Sequence, residues 1–411
     1  MAAVCLYFQV HQPYRLRRYS YFNVGNSTTY FDDTLNRSIM EGVAKRCYLP
    51  ANELLLRKIH EHAGAFKVAF SITGTALEQM RLYAPQALES FRALAATGCV
   101  EFLGETYYHS LASLYNRDEF KAQVQIHSDH IEREFGQRPQ VFRNTELIYS
   151  DEIGHVISEL GFRAVMVEGA QDILGWRSPH FIYRAAGSSM RLIPRSFTLS
   201  DDIAFRFTHG GDDDRGGLTP ERYAASVHEL TGNADLAGLF LDYETFGEHH
   251  GRATGILNFL GELPRCLLAH KEWTFATPSE AIRFLHPVSE LSFPRVTSWA
   301  DTDRDITAWC GNNMQRSALR ALYDTMTLYA EHDINAPHMA LACETWRRLQ
   351  TSDHFYYMCT KGDGDGVVHR YFSPYESPYD AFVGYMNVLK DIAARSRKVI
   401  AEGERRAASN E

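Results

Sequence analysis

The sequence predicts an α/β protein, a barrel of parallel strands followed by a bundle of helices, and three observations point there. Short apolar runs alternate with segments of helical periodicity through most of the chain, the pattern that crossover connections impose on a parallel sheet. Polar clusters recur just after the apolar runs, where the carboxyl ends of barrel strands converge on one mouth. The remaining C-terminal stretch carries helical periodicity alone. A doubly wound open sheet would also present such ends at its switch point, but no G-x-G-x-x-G follows the first strand.

Val4 to Val10 reads as a buried strand that stops at His11-Gln12-Pro13, and Tyr14 to Asp32 as a long polar and aromatic loop. Helices are predicted over Asp33 to Tyr48 and Ala51 to His62, then a strand over Phe66 to Ile72 that ends at Thr73-Gly74. Helices near Leu77 to Leu94, a strand at Val100 to Leu103 closed by Gly104-Glu105-Thr106, and a helix over Asp118 to Phe135 follow. The strand at Val141 runs into Asn144-Thr145-Glu146. After it come a helix over Asp151 to Leu160, a strand at Ala164 to Glu168, hairpin or strand material from Pro179 to Ser196, and a helix over Pro220 to Leu230. Leu236 to Leu241 is the strand before Asp242, and Trp273 to Ala276 a short last one, about seven in all. The turn-rich stretch Pro287 to Arg295 leads into helices over Asn312 to His332, Pro337 to Tyr357 and Pro378 to Ala401. The expected domains are therefore a barrel over 1–290 and a helical region over 291–411.

With 411 residues the chain exceeds one ordinary core, which fits that division. A formal net charge of -9, with no long basic run, argues against nucleic acid as a partner, since phosphate binding needs a basic surface. The run Val4 to Val10 lacks a preceding basic segment and is too short for a signal peptide, and nothing approaches the ~18 apolar residues of a membrane helix. Seven scattered cysteines, odd in number and without a C-x-x-C pair, suggest a reduced, cytoplasmic protein with neither disulfides nor a zinc site. His11, His109, His249-His250 and His354 share no H-E-x-x-H or other ligand spacing, so neither metal nor other cofactor is expected. The acidic glycine patches Gly210 to Gly217 and Lys361 to Gly366 read as loops, the second lacking the opening Asp and closing Glu of an EF-hand.

The chemistry lies in two strand ends. Glu146 and Asp242 each follow an apolar strand, and cleavage of an acetal needs two carboxyl groups in different roles. One protonates the leaving oxygen while the other meets the developing positive charge at the anomeric carbon. Any strand end can carry a solvated carboxylate, so position alone does not decide the matter. Glu244 and Glu248 flank Asp242 and would help keep an acid protonated, whereas Arg143 could hold a nucleophile ionised. Arg143 lies three positions before Glu146, an odd spacing that places them on opposite faces of a regular strand unless a turn intervenes.

At these residues the chain resembles glycoside hydrolase family 57, the retaining α-glucan-active family. The family's H-x-H-Q-P opening is similar to Gln9-Val10-His11-Gln12-Pro13, with Gln9 in place of the first His, and a second region to Gly104 through Ser110. The T-E pair that carries the family's nucleophile falls on Thr145-Glu146, and the acid/base Asp before E-x-F-G on Asp242. A fifth motif resembles Ser352-Asp353-His354-Phe355-Tyr356-Tyr357, with His and Tyr replacing tryptophans, and Trp299 to Asn312 looks like the shorter α-amylase-type members. The resemblance implies an incomplete seven-stranded (β/α) barrel, with the helical region completing the cleft. It implies a retaining α-1,4-glucan hydrolase of α-amylase type, with Glu146 as nucleophile and Asp242 as acid/base, acting on an α-glucan or maltooligosaccharide. His11, Gln12, His109, Arg143, Trp309, Asp353 and His354 would bind the sugar. The alternatives are a 4-α-glucanotransferase or branching-type transglycosylase, a non-catalytic glucan-binding protein, and a metal-dependent polysaccharide deacetylase.

Overall fold

A computed structural model describes residues 1–208, 217–325, 337–361 and 373–408. Gly210 to Gly216 and most of the Lys361 to Gly366 patch fall outside these residues, as does the end of the helix predicted to reach His332. The chain divides into two compact units, Met1–Gln12 with Arg37–Tyr107 and Lys121–Trp299, and Pro13–Asn36 with Tyr108–Phe120 and Ala300–Glu411. Two connections that follow strands of the first unit are thus folded into the second.

The first unit is built on ten strands among the described residues: β1 Ala2–Val10, β2 Val68–Ile72, β3 Val100–Phe102, β4 Val141–Arg143, β5 Ala164–Glu168, β6 Tyr183–Ala185, β7 Arg191–Arg195, β8 Leu236–Asp242, β9 Trp273–Phe275 and β10 Glu290–Leu291. β3, β2, β1 and β8 are joined in that order, all parallel, and β4, β5 and β7 likewise. Backbone hydrogen bonds link the two groups. The Gly104 amide donates to the Val141 carbonyl at 2.9 Å, the Arg143 amide to the Gly104 carbonyl at 2.8 Å, and the Ser196 amide to the Gly238 carbonyl at 2.8 Å. Seven strands thereby trace the ring of a (β/α)7 barrel, with β9 paired to the start of β1 and the antiparallel β6 on β7. Gly238 is required at the last of these links, because a Cβ there would stand 2.3 Å from the Pro194 carbonyl oxygen.

Alternation along the strands sorts the core into two layers. Val4, Leu6, Phe8 and Val10 of β1, Phe70 of β2 and Leu239 and Leu241 of β8 pack outward against helices. Ala3, Cys5 and Tyr7, with Ala69, Val141, Met166, Ile193 and Phe240, fill the interior. The helices predicted near Leu77 to Leu94 are Gly74–Tyr83 and Pro85–Ala95, divided where Pro85 cannot donate to the preceding turn. Helices Phe197–Ala204, Ile256–Leu268 and Pro278–Phe284 were not predicted; Gly261 and Pro264 mask the apolar face of the second. Among the described residues no helix is long and apolar enough to cross a membrane.

In the second unit the helices Asn313–Thr325, Pro337–Arg348, Ser352–Tyr356 and Pro378–Ala408 form the scaffold. Asp391 fastens the loop of residues 13–36 to the last of them, accepting from the Tyr30 hydroxyl at 2.6 Å and the Gly25 amide at 2.7 Å. Glu119 does the same for residues 108–120, paired with Arg347 at 3.0 Å and bonded by Gln350 at 3.1 Å. The helix predicted over Pro337 to Tyr357 breaks between Arg348 and Ser352, where Thr351 bridges to Ser110.

Candidate active site

The polar ends of the barrel strands gather inside its carboxyl-end mouth. By alternation Gln9, Ser71, Arg143, Glu168, Arg195 and Asp242 share the interior face with the apolar residues two positions earlier. Gln9 accepts from the Tyr7 hydroxyl at 2.8 Å and the Ser71 hydroxyl at 2.7 Å, and its amide lies 3.4 Å from both Glu105 carboxylate oxygens. The buried amide therefore fills the place that a first His would take. Burial drives the Tyr7 hydroxyl far from ionisation, with Arg143, Glu105 and Asp242 all near enough to bear on it electrostatically. That convergence puts β3, β4 and β8 side chains around one ring.

β4 delivers Glu146 through a strained turn. Thr145–Leu147 is a single 3-10 turn in which Glu146 has φ 56° and ψ 27° and Leu147 φ 52°, left-handed conformations that cost a non-glycine residue on the order of 1–3 kcal/mol each. The surroundings hold it there. The Asn144 amide group donates to the Ile148 carbonyl at 2.9 Å, and Thr145 and Thr106 share a hydroxyl bond of 2.7 Å. Trp299 fixes both ends of the residue, its backbone amide donating to the Glu146 carbonyl at 3.2 Å and its indole Nε1 to the carboxylate Oε2 at 2.6 Å. The Arg143 guanidinium lies 4.7 Å from the centre of the same indole. So the turn does intervene, and Arg143 and Glu146 touch one side chain despite their odd spacing.

β8 delivers Asp242 in ordinary extended backbone, registered opposite Gln9 of β1 and partly exposed. Its support comes from the residues after it. Tyr243 turns outward and donates to Asn52 at 2.6 Å, while Glu244 accepts from the Tyr48 hydroxyl at 2.5 Å. Tyr48 ends a π-helical turn, Ala44–Tyr48, a distortion that recurs at functional sites. Burial first, and the Asp242 charge second, raise the Glu244 carboxyl to about 8, so it is neutral at pH 7. Glu248 is paired with exposed Arg46 at 2.7 Å. The acidic flank of Asp242 is thus one protonated carboxyl and one ion pair.

Glu146 and Asp242 stand three strands apart one way around the ring and four the other, through β5 and β7 or through β1, β2 and β3. They occupy opposite sides of one mouth. Residues 5–294 match glycosyl hydrolase family 57. The chain belongs to that family. It is a glycoside hydrolase, and a protein of Methanocaldococcus jannaschii provisionally named an alpha-amylase is 40% identical to it over 97% of this chain and 85% of its own.

Solved structures share the fold at lower identity. A branching enzyme from Pyrococcus horikoshii superposes with a TM-score of 0.68 at 15% identity, over 95% of this chain and 88% of that one. A 4-alpha-glucanotransferase from Thermococcus litoralis does so with a TM-score of 0.59 at 18% identity over 87% of this chain. This chain spans about half, 51%, of the glucanotransferase.

The other residues that the family-57 resemblance singled out divide between the units. In the barrel, His11 bonds Thr73 through Nδ1 at 3.0 Å, and the Gln12 carbonyl accepts from Gln79 at 2.9 Å. Arg143 is 0% exposed, and its guanidinium lies against Trp299. In the second unit, His109 is buried with φ 51° and accepts from the Ser352 amide at 2.9 Å. Trp309 is buried 6.3 Å from the Tyr356 ring, His354 is buried 5.7 Å from Tyr385, and Asp353 is partly exposed. Sequence reasoning missed Arg195, which binds Glu168 at 3.2 Å, Asp201 at 2.5 Å and the Phe240 carbonyl at 3.0 Å. The alternation of Arg191 to Arg195 could have shown it.

Proposed function

We propose that this family-57 protein is a retaining α-glucan hydrolase of α-amylase type in which Glu146 is the nucleophile and Asp242 the acid/base. The observation that carries the reading is the delivery of both carboxyl groups to one barrel mouth from β4 and β8, with different neighbours around each. Glu146 attacks the anomeric carbon as the glycosidic bond breaks, and the departing oxygen takes a proton from Asp242. Asp242 then takes a proton from water, whose oxygen displaces Glu146 from the sugar. His11 and Gln12 are proposed to bind sugar hydroxyls at the barrel mouth, and the sugar-binding roles of His109, Trp309, Asp353 and His354 are proposed on the resemblance alone.

A sugar hydroxyl in place of water makes the same chemistry a transfer. The names of the structural relatives, a glucanotransferase and a branching enzyme, favour keeping that second reading. Incubation with maltoheptaose followed by product analysis tests both. Shorter maltooligosaccharides alone are expected, absent with Glu146→Gln. Chains longer than the substrate would replace hydrolysis with transfer, and binding without turnover would remove the enzyme assignment.

A further inference from the structure

Arg143 poses a physical problem. Its side chain is 0% exposed, and none of its three guanidinium nitrogens finds a hydrogen-bond partner among the described residues. A buried cation without hydrogen bonds is costly, and an apolar side chain of similar length would commonly fold better. What the guanidinium does meet is the indole of Trp299, at 4.7 Å from the ring centre, with the Arg195 guanidinium 5.6 Å from the same ring. The edge of that ring donates to Glu146 at 2.6 Å.

We propose that Trp299 is a positioning residue for Glu146, and that Arg143 acts through the Trp299 ring to keep the Glu146 carboxylate ionised and aimed into the mouth. The inference rests on the reading of Glu146 as nucleophile. A cation against an indole face draws electron density from the ring, which makes the N–H a stronger donor in a site of low dielectric. A hydrogen bond given to the charged form of a carboxyl favours that form. Arg143 itself makes no bond to Glu146, so the positive charge reaches the nucleophile without a guanidinium fork closing over it. The same tryptophan holds the Glu146 carbonyl, which keeps the left-handed turn in register with the carboxylate. A cost in folding is thereby tied to a gain at the reacting group.

The test is kcat/KM against pH, with thermal melts, for Trp299→Phe, Arg143→Met and Arg143→Lys. Trp299→Phe keeps a ring and loses the N–H, so the acidic limb is expected to move up by about one pH unit. A fall in kcat with KM little changed should accompany it. Arg143→Met is expected to shift the limb the same way by less while leaving the melting temperature unchanged or higher, and Arg143→Lys to recover part of the shift. An acidic limb at the wild-type pH in folded Trp299→Phe overturns the proposal. So does an Arg143→Met protein that melts earlier with its limb unmoved, which would make Arg143 a structural residue. Labelling with a fluorinated α-glucosyl fluoride, followed by peptide mapping, separates this inference from the reading beneath it. Label on Glu146 with an unmoved limb removes the relay alone, whereas label on another carboxylate removes Glu146 as nucleophile.

Discussion

The ends of β4 and β8 look alike as sequence, an apolar run closed by a carboxylate, and are opposite as environments. Glu146 sits in a left-handed turn, takes an indole N–H, and has the Arg143 and Arg195 guanidiniums behind that indole. Asp242 sits in extended backbone, opposite a neutral amide, with the protonated Glu244 carboxyl two residues on. One end brings cations and an N–H donor toward its carboxyl, and the other a buried neutral carboxyl. Acid and nucleophile roles require two carboxyls in different surroundings.

The sharpest way to break the comparison is to neutralise each carboxyl in turn. Glu146→Gln is expected to lower kcat on maltooligosaccharides by about 10^4-fold or more, as loss of a covalent nucleophile does. Asp242→Asn is expected to lower it by about 10^2- to 10^4-fold. The two differ with an aryl α-glucoside whose phenolate leaves without protonation. There Asp242→Asn should still form the glycosyl-enzyme in a rapid burst and Glu146→Gln should not. A burst from both variants, or from neither, would erase the distinction drawn between the strand ends.

Of this contrast the sequence shows the strands and hides the turn. Strand ends at His11, Thr73, Glu105, Glu146, Glu168 and Asp242 follow from hydrophobic periodicity, because alternate residues of buried strands must choose a face. The family motifs then select Glu146 and Asp242 from among them. Nothing in the local pattern shows that Glu146 and Leu147 take positive φ, since non-glycine residues do so only where distant contacts enforce it. Trp299 lies 153 positions from Glu146, and the bond between them is invisible to any spacing rule. The expected negative flank of Asp242 is legible as composition. Its neutralisation depends on the burial of Glu244 and on Arg46, which arrives from a distant segment to pair with Glu248.

A smaller effect tests what steadies the β8 end. Gly247 has φ 130°, and a Cβ there would stand 2.2 Å from the Arg46 carbonyl oxygen, a backbone atom that cannot swing aside. Gly247→Ala is expected to destabilise the fold by about 3 kcal/mol through strain and forced separation of the segment after Asp242 from the π-helical turn. Denaturant unfolding measures it, and activity at saturating substrate should fall with it. A glycine-to-alanine change at Gly25, where no atom lies within 4 Å of a Cβ and φ is 80°, shares only the dihedral strain. Equal losses at the two positions would mean that the close approach contributes nothing.

The least effect expected, and the most specific to the acidic side of the comparison, belongs to Glu244→Gln. The Glu244 carboxyl titrates at about 8 in the folded protein against 4.5 ordinarily, so folding raises its pKa. In acid below 4.5 both folded and unfolded chains carry the proton and the group favours neither. As pH climbs toward 8 the unfolded chain releases the proton while the folded one must keep it, so stability drains away across that window. Glutamine has no proton to lose, and its carbonyl oxygen can still accept from the Tyr48 hydroxyl at the position where Glu244 now does. The melting temperatures of the two proteins should therefore lie closest in acid and separate in favour of Glu244→Gln as pH rises from 5 to 8, by about 1 °C for each kcal/mol in a chain of this size. Parallel melting curves across that range would mean that Glu244 is ionised in the folded state, and that Asp242 has a full negative charge beside it rather than a neutral carboxyl.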